Sequence, residues 1–339
     1  MDSLSQIALG AAVGMATLGR RTALWKAALW GAVAGTLPDL DVFIDHGDPV
    51  RNMVLHRAET HSLFWLTLFS LPLAALVARL HGEWAIWRRW WLALWLVLVT
   101  HPLLDTMTVY GTQLALPFTD YPYGVGSMFI IDPLYTVPLL VGAGWALATR
   151  GRGWGLRANT VGLVLSTCYL AWSAVAQQHV ERVAHASLAQ QGIAAEQVLV
   201  TPAPLNTVLW RVVALSGAHY HEGFYSLLDA KPTVQFERFD RGQALAGELQ
   251  GLESVQRIAA FSHGFYKLSQ VGTQLLISDL RMGQEPNYAF SFVVAERPNE
   301  LQALQALDKP VQQGAQMDLK QGLAWLWRRL RGELVPPPR

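Results

Sequence analysis

Three histidines and several carboxylates in the first half of this 339-residue chain have the types and spacing of a metal site. His101 and Asp105 frame the run His101-Pro102-Leu103-Leu104-Asp105, and an i,i+4 spacing puts both side chains on one helical face. Imidazole plus carboxylate is a good ligand set for zinc or a similar divalent ion. Pro102 either kinks that helix or begins a new turn, and the helix runs on to Asp105 in both cases. His56 and His61 lie in His56-Arg57-Ala58-Glu59-Thr60-His61-Ser62. Their spacing is poor for one helical face but workable across a loop and a helix start. Thr60 is a natural N-cap there, which would place His61 in the first turn. Asp39 and Asp41 close Pro38-Asp39-Leu40-Asp41, and the two are expected to point to opposite sides of that turn.

Taken singly, each pair also fits a plainer role: a helix-terminal histidine bonded to aspartate, two interfacial histidines, or two turn carboxylates. Together they exceed the three or four ligands that one zinc ion needs. The excess suits more than one metal, or one metal with a carboxylate left over as general base. A bound divalent ion lowers the pKa of its water toward about 7 and polarises a phosphoryl or carbonyl oxygen, which is hydrolysis chemistry.

The elements that must position these residues are apolar. The chain is 52% hydrophobic and 15% charged, whereas soluble domains carry about 25% charged residues. Six apolar segments can be marked, at roughly 4–18, 23–37, 62–79, 90–104, 133–149 and 156–178. The last matches the roughly 20 residues that cross a bilayer. The first two are short and carry small-xxx-small patterns, Gly10 to Gly14 and Gly31 to Gly35, which favour a closely packed helix pair. Arg20, Arg21, Lys26, Arg79, Arg88, Arg89, Arg150, Arg152 and Arg157 gather at alternate turns, and 105–131 contains no Lys or Arg. By the positive-inside rule those basic turns are cytoplasmic, and 38–61, 105–131 and everything after the sixth segment lie outside. Every residue of the constellation falls at an outer segment end, including Asp2 and Gln6 at the first segment and Asp132 at the fifth. The turn around Trp84, Trp87, Trp90 and Trp91 fits an interfacial aromatic belt.

The start of the chain has no positive stretch before its apolar run, so the first segment reads as a retained helix rather than a cleaved signal. Cys168 stands alone in an apolar segment and reads as a buried packing residue, which leaves no disulfide framework or Cys-based zinc motif. Near-neutral net charge gives no electrostatic case for nucleic acid. The predicted organisation is a helical membrane domain, 1–178, followed by a soluble extracytoplasmic α+β domain, 179–339. The second domain opens with helix over 179–191. Strands are predicted at 207–215, 224–228, 233–239, 257–261, 274–279 and 288–295, and a basic amphipathic helix at 318–330 that either lies on a membrane or packs on its own domain. His219 and His221 share a strand face, and His46, His81, His179, His185 and His263 have no partner at ligand spacing.

The same motifs carry a family resemblance. Met1-Asp2-Ser3-Leu4-Ser5-Gln6, Pro38-Asp39-Leu40-Asp41, His56-Arg57 with Thr60-His61-Ser62, and His101-Pro102-Leu103-Leu104-Asp105 resemble the YdjM/YbcI family of bacterial inner-membrane metal-dependent hydrolases, over about residues 1–150. Glu222-Gly223-Phe224-Tyr225-Ser226-Leu227-Leu228-Asp229 and Ser278-Asp279-Leu280-Arg281-Met282-Gly283 resemble the extra domain of longer members. The resemblance implies remote similarity to zinc-dependent phospholipases C and P1-type nucleases. It also implies a phosphoesterase-like site with Asp39 or Asp41, His56, His61, His101 and Asp105 as ligands. Some relatives have His where this chain has Gln6, and Glu59 stands where the family usually has an aromatic residue.

The expectation is therefore a membrane-bound hydrolase with a divalent metal, zinc by preference, acting on a phosphoester, small-molecule or lipid-linked substrate at the outer face. Asp39 and Asp41 share the ligand and base roles. A transporter or metal-handling protein would use the same cluster, and a purely structural metal is a third reading. Ionisable residues deep within the segments, which a transporter would favour, are largely absent.

Overall fold

A computed structural model describes residues 1–297, 303–314 and 318–339. Contacts divide the chain into two units. The first comprises 1–44, 57–174 and 204–206, and the second 45–56, 175–203 and 207–339.

The first unit is helical: α1 (Ser3–Leu18), α2 (Leu24–Thr36), α4 (Leu63–Leu80), α5 (Trp87–Asp105), α6 (Pro133–Ala148) and the first part of α7 (Gly155–Gln190), with α3 (Pro49–Leu55) in the second unit. Among the described residues two helices, Leu63–Leu80 and Gly155–Gln190, are long and apolar enough to cross a membrane. Ser3–Leu18 and Pro133–Ala148 are apolar but shorter, so the six segments of the sequence do not become six helices of spanning length. Apolar residues point outward along them, among them Phe64, Leu68, Leu76, Val141, Trp145, Val161 and Trp172.

Helix α1 packs against α2, α5 and α6. Its glycines permit the approach: a Cβ on Gly10 would stand 2.2 Å from the Gly31 carbonyl oxygen, and one on Gly31 would stand 2.2 Å from that of Gly10. Below this contact Met15, Leu18, Ala27, Val77, Trp90 and Leu94 form a common core. At one end of the bundle Arg20 Nη2 donates to the Gly151 carbonyl at 2.9 Å, and Lys26 Nζ pairs with Glu83 at 2.6 Å. These bonds tie together the three basic turns, after α1, α4 and α6. Cys168, expected to be buried, is exposed on α7.

In the second unit β1 (Gln197–Pro202), β2 (Leu209–Ser216), β3 (His219–Ser226) and β4 (Phe236–Asp240) form an antiparallel meander in that order. The helices α8 (Ala246–Leu249) and α9 (Glu253–Phe261) follow. Then come β5 (Tyr266–Val271), β6 (Gln274–Asp279), the short pair β7 (Gly283–Gln284) and β8 (Asn287–Tyr288), β9 (Ser291–Glu296), β10 (Gln305–Gln313) and α10 (Leu319–Leu330). A second sheet has the order β10-β9-β6-β5. The strand predicted at 257–261 is instead the end of α9, where Val255, Ile258 and Phe261 are buried at helical spacing. α10 buries Trp325 and Arg329 and exposes Leu319, Leu323 and Trp327, so one of its faces packs on its own domain.

Candidate metal centre

Three breaks in helical structure deliver the site. Pro38 cannot continue α2, and the chain tightens into a 3₁₀ turn over Pro38–Phe43 that presents Asp39 and Asp41 on different sides. A second 3₁₀ turn, Glu59–His61, precedes α4. The N-cap of α4 is Ser62, whose Oγ accepts from Trp65 N at 3.3 Å. Thr60, the residue expected in that place, bonds sideways instead, to Asp41 and His61. Helix α5 runs through Pro102 to Asp105, so His101 and Asp105 share a face.

These elements bring Asp39, His61, His101 and Asp105 together, with one ligand atom from each lying within 4.8 Å of all the others. His61 Nε2 is 3.2 Å from His101 Nε2, 3.5 Å from Asp39 Oδ1 and 3.2 Å from Asp105 Oδ2. His101 Nε2 is 3.4 Å from Asp39 Oδ1 and 3.4 Å from Asp105 Oδ2. Four ligands at the usual 2.0–2.1 Å around a tetrahedral zinc are separated from one another by about 3.4 Å. The donor set therefore has the size of a tetrahedral N₂O₂ site.

The hydrogen bonds behind the ligands fix which atoms face inward. His101 Nδ1 lies 2.7 Å from the Gly35 carbonyl, which can only accept, so the proton is on Nδ1 and Nε2 presents its lone pair. Thr60 Oγ1 has one proton and gives it to Asp41 Oδ2 at 2.8 Å. Its oxygen then accepts from His61 Nδ1 at 2.9 Å, which puts a proton on Nδ1 and turns Nε2 toward the cluster. Asp105 Oδ2 is buried and accepts no hydrogen bond. Two imidazole lone pairs and two carboxylate oxygens thus converge, an arrangement that a shared cation, proton or metal, must hold together. Burial alone would raise the Asp39 carboxyl, but the two imidazoles beside it outweigh burial and hold it below the usual carboxylate range. Asp39 is also the open side of the site, with its side chain 20% exposed while the other three are nearly fully enclosed.

The remaining residues singled out in the sequence lie around or apart from this cluster. Asp41 stands behind His61, 3.6 Å from Nδ1, and accepts from the Arg57 N–H at 2.9 Å. Gln6 donates through Nε2 to Asp105 Oδ1 and to the His101 carbonyl, both at 3.2 Å, while its buried Oε1 has no partner. Asp2 caps α1, accepting from the Leu4 and Ser5 N–H groups. Asp132 caps α6 and accepts from the Tyr169 hydroxyl at 2.9 Å. His56 closes α3, groups with the second unit, and is not one of the four. Arg57, Thr108, the Met1 amine and the Gly35 carbonyl support the site without having been expected to, and Thr60, expected only as a helix cap, supports it as well. Arg57 and Thr60 had a signal, because both lie inside the motif that holds His61.

No solved structure matches this chain. YfhP of Bacillus subtilis (strain 168), described as uncharacterized, is 24% identical over 229 residues, which cover 66% of this chain and 68% of that protein. The YdjM inner membrane protein family matches residues 1–180 and so contains the whole cluster. On that match, which spans more than half of its 339 residues, the chain belongs to the YdjM inner membrane protein family.

Proposed function

We propose that the chain is a membrane-bound, metal-dependent hydrolase with Asp39, His61, His101 and Asp105 as ligands to one divalent ion, zinc by preference. The observation that carries this reading is the convergence of two imidazole nitrogens and two carboxylate oxygens within 4.8 Å of one another, with both rings held from behind through Nδ1. Two nitrogen and two oxygen donors at tetrahedral separations favour zinc over the oxygen-only, six-coordinate preference of magnesium. A divalent ion there would supply Lewis acidity toward a phosphoryl or carbonyl group. The chain's own residues do the rest. Asp41 and Thr60 hold the His61 ring, Gly35 holds the His101 ring, and the exposed edge at Asp39 is where substrate would enter. Asp41 therefore acts through His61, and Asp39 is the carboxylate closer to the chemistry.

A lipid-linked phosphoester is the favoured substrate. A cavity of about 370 Å³, lined by Leu63, Phe64, Leu114, Leu116, Phe118 and Tyr123, begins two residues after His61 and suits an apolar chain. Exposed apolar residues on α4, α6 and α7, with the family's inner-membrane name, support multi-pass insertion in a bacterial inner membrane. The three basic turns sit at the bundle end where α1 leads into α2, away from the helix ends that carry the ligands. The positive-inside rule then puts the site and the second unit outside the cytoplasm. Reporter fusions after residues 85, 120, 153 and 200 test the topology: a strong cytoplasmic signal at 120 and 200 would reverse it. For the activity, the metal-loaded wild type should hydrolyse a member of a phosphoesterase and lipase panel. The Asp39→Asn variant should lose that turnover and its metal together. A wild type that holds metal and turns over nothing, with variants that lose metal and thermal stability together, would leave a structural metal instead.

A further inference from the structure

The two oxygens of Asp105 have different surroundings. Oδ1 accepts from Gln6 Nε2 at 3.2 Å, contacts the Met1 amine, and lies 3.4 Å from Arg57 Nη2. Oδ2 accepts no hydrogen bond and faces the two imidazoles. Arg57 is the one permanently charged side chain in this group, and it is held with unusual thoroughness. It is buried, and its backbone adopts φ +66°, a left-handed conformation that side chains other than glycine rarely take. Its N–H donates to Asp41 Oδ2 at 2.9 Å, and its carbonyl accepts from Gln113 N at 3.0 Å. Nη1 donates to Thr108 Oγ1 at 3.2 Å, and the guanidinium lies over the Tyr110 ring, 5.0 Å from its centre. Nε is buried with no acceptor. A non-glycine residue persists in a left-handed turn only where its surroundings over-determine it, and such turns cluster at functional sites. A guanidinium with an unmet buried donor is not placed there to complete its own hydrogen bonds.

We infer that Arg57 is a positioning residue for the metal centre, a reading that rests on the ligand assignment above. Its guanidinium draws the charge of Asp105 onto Oδ1, so that Asp105 offers the ion a single oxygen, Oδ2. Its backbone N–H fixes Asp41, which orients His61 through Thr60. One residue in a left-handed turn thereby sets two of the four ligands. Without the guanidinium the Asp105 carboxylate is free to turn and offer both oxygens, and the four-coordinate character of the site is lost.

Cobalt(II) is the probe, because its visible absorption is strong in four-coordinate sites and weak at higher coordination. The full chain, purified in detergent, is titrated with cobalt as wild type, Arg57→Gly, Arg57→Gln and Arg57→Lys. Glycine accepts φ +66° without strain, so Arg57→Gly keeps the turn and removes only the charge. Arg57→Gly and Arg57→Gln should weaken cobalt binding by about 10- to 100-fold, the effect usual for groups that hold metal ligands, and should lower the visible absorption. Arg57→Lys keeps the charge without the planar fork and should recover part of the affinity. If Arg57→Gly binds cobalt with the affinity and spectrum of wild type, Arg57 serves only the turn and the inference fails. Should the uncharged variants not be recovered, an unaltered spectrum and affinity in Arg57→Lys overturns it equally. A wild type that binds no cobalt removes the ligand assignment and this inference together, whereas cobalt bound identically by all variants removes this inference alone.

Discussion

Two regions of this molecule bury ionisable side chains, and they do so in opposite ways. In the second unit every buried acid of the longer-member motifs has an arginine of its own. Arg211 donates through Nε and Nη2 to Glu222 Oε2 at 2.8 and 2.5 Å, and through Nη1 to the Leu280 carbonyl at 2.7 Å. Arg281 Nη2 donates to Asp279 Oδ2 at 2.7 Å, and Arg329 on α10 makes two bonds, 2.5 and 2.6 Å, to Asp229. These charges are closed pairs. In the first unit the acids of the cluster face imidazole lone pairs, and a carboxylate oxygen is left bare in the interior. Burial is similar in both places, so burial does not mark function. The difference lies in whether the valences are filled. A closed pair pins one element to another, while an open set of acceptors asks for something the chain does not contain.

The contrast can be broken from either side, and the largest effect belongs to the closed pairs. Arg211→Met should leave Glu222 as an uncompensated buried charge and destabilise the second unit by about 3–5 kcal/mol. Denaturant unfolding should show that loss while metal affinity stays within about twofold, since no ligand changes. His101→Ala attacks the open cluster and should do the reverse. Removing a ligand should weaken metal binding by more than the roughly 100-fold ceiling usual for supporting residues, with membrane insertion unaffected and the unfolding of the second unit unchanged. Equal metal content in this variant and wild type would take His101 out of the site. An intermediate effect is expected from Gly31→Ala, whose Cβ would stand 2.2 Å from the Gly10 carbonyl oxygen. The α1–α2 pair must spread, at about 1–3 kcal/mol for overpacking. Because α2 carries Gly35 and leads to Asp39, metal affinity should fall with it, which a titration on the folded variant would read. Asp41→Asn should be mildest, about 10- to 100-fold in metal affinity, because Asp41 reaches the centre only through His61 and Thr60. Asp39→Asn measured beside it should be the more damaging of the two, and the reverse order would exchange their roles.

Much of the cluster was legible because its logic is one-dimensional. His101 and Asp105 share a face by spacing alone, and the alternation of basic turns places the ends of α2, α4 and α5 at one side. The facing glycines of α1 and α2 were readable for the same reason, as four-residue repeats. What remained hidden depends on backbone turns that residue types do not announce. Nothing in Arg57 advertises a left-handed φ, yet that turn separates His56 from His61 and sends only the second to the cluster. The choice between Asp39 and Asp41 required the 3₁₀ geometry after Pro38, which decides which of the two faces inward. In the second unit β10 escaped notice because Gln305–Gln313 is polar and contains Pro310; pairing with β9 makes it a strand. The α9 segment misled because Arg257–Phe261 has a strand-like composition, and its helical period shows only when Val255 is counted with Ile258 and Phe261.

The central claim is that Asp39, His61, His101 and Asp105 hold one divalent ion. Metal analysis of the full chain, purified in detergent and reloaded with zinc after chelation, tests it directly. The account predicts one zinc per wild-type chain and substoichiometric zinc in the His61→Ala and Asp105→Ala variants, each still folded by thermal melting. A wild type that retains no zinc or other divalent ion, or variants that retain as much as wild type, would contradict it.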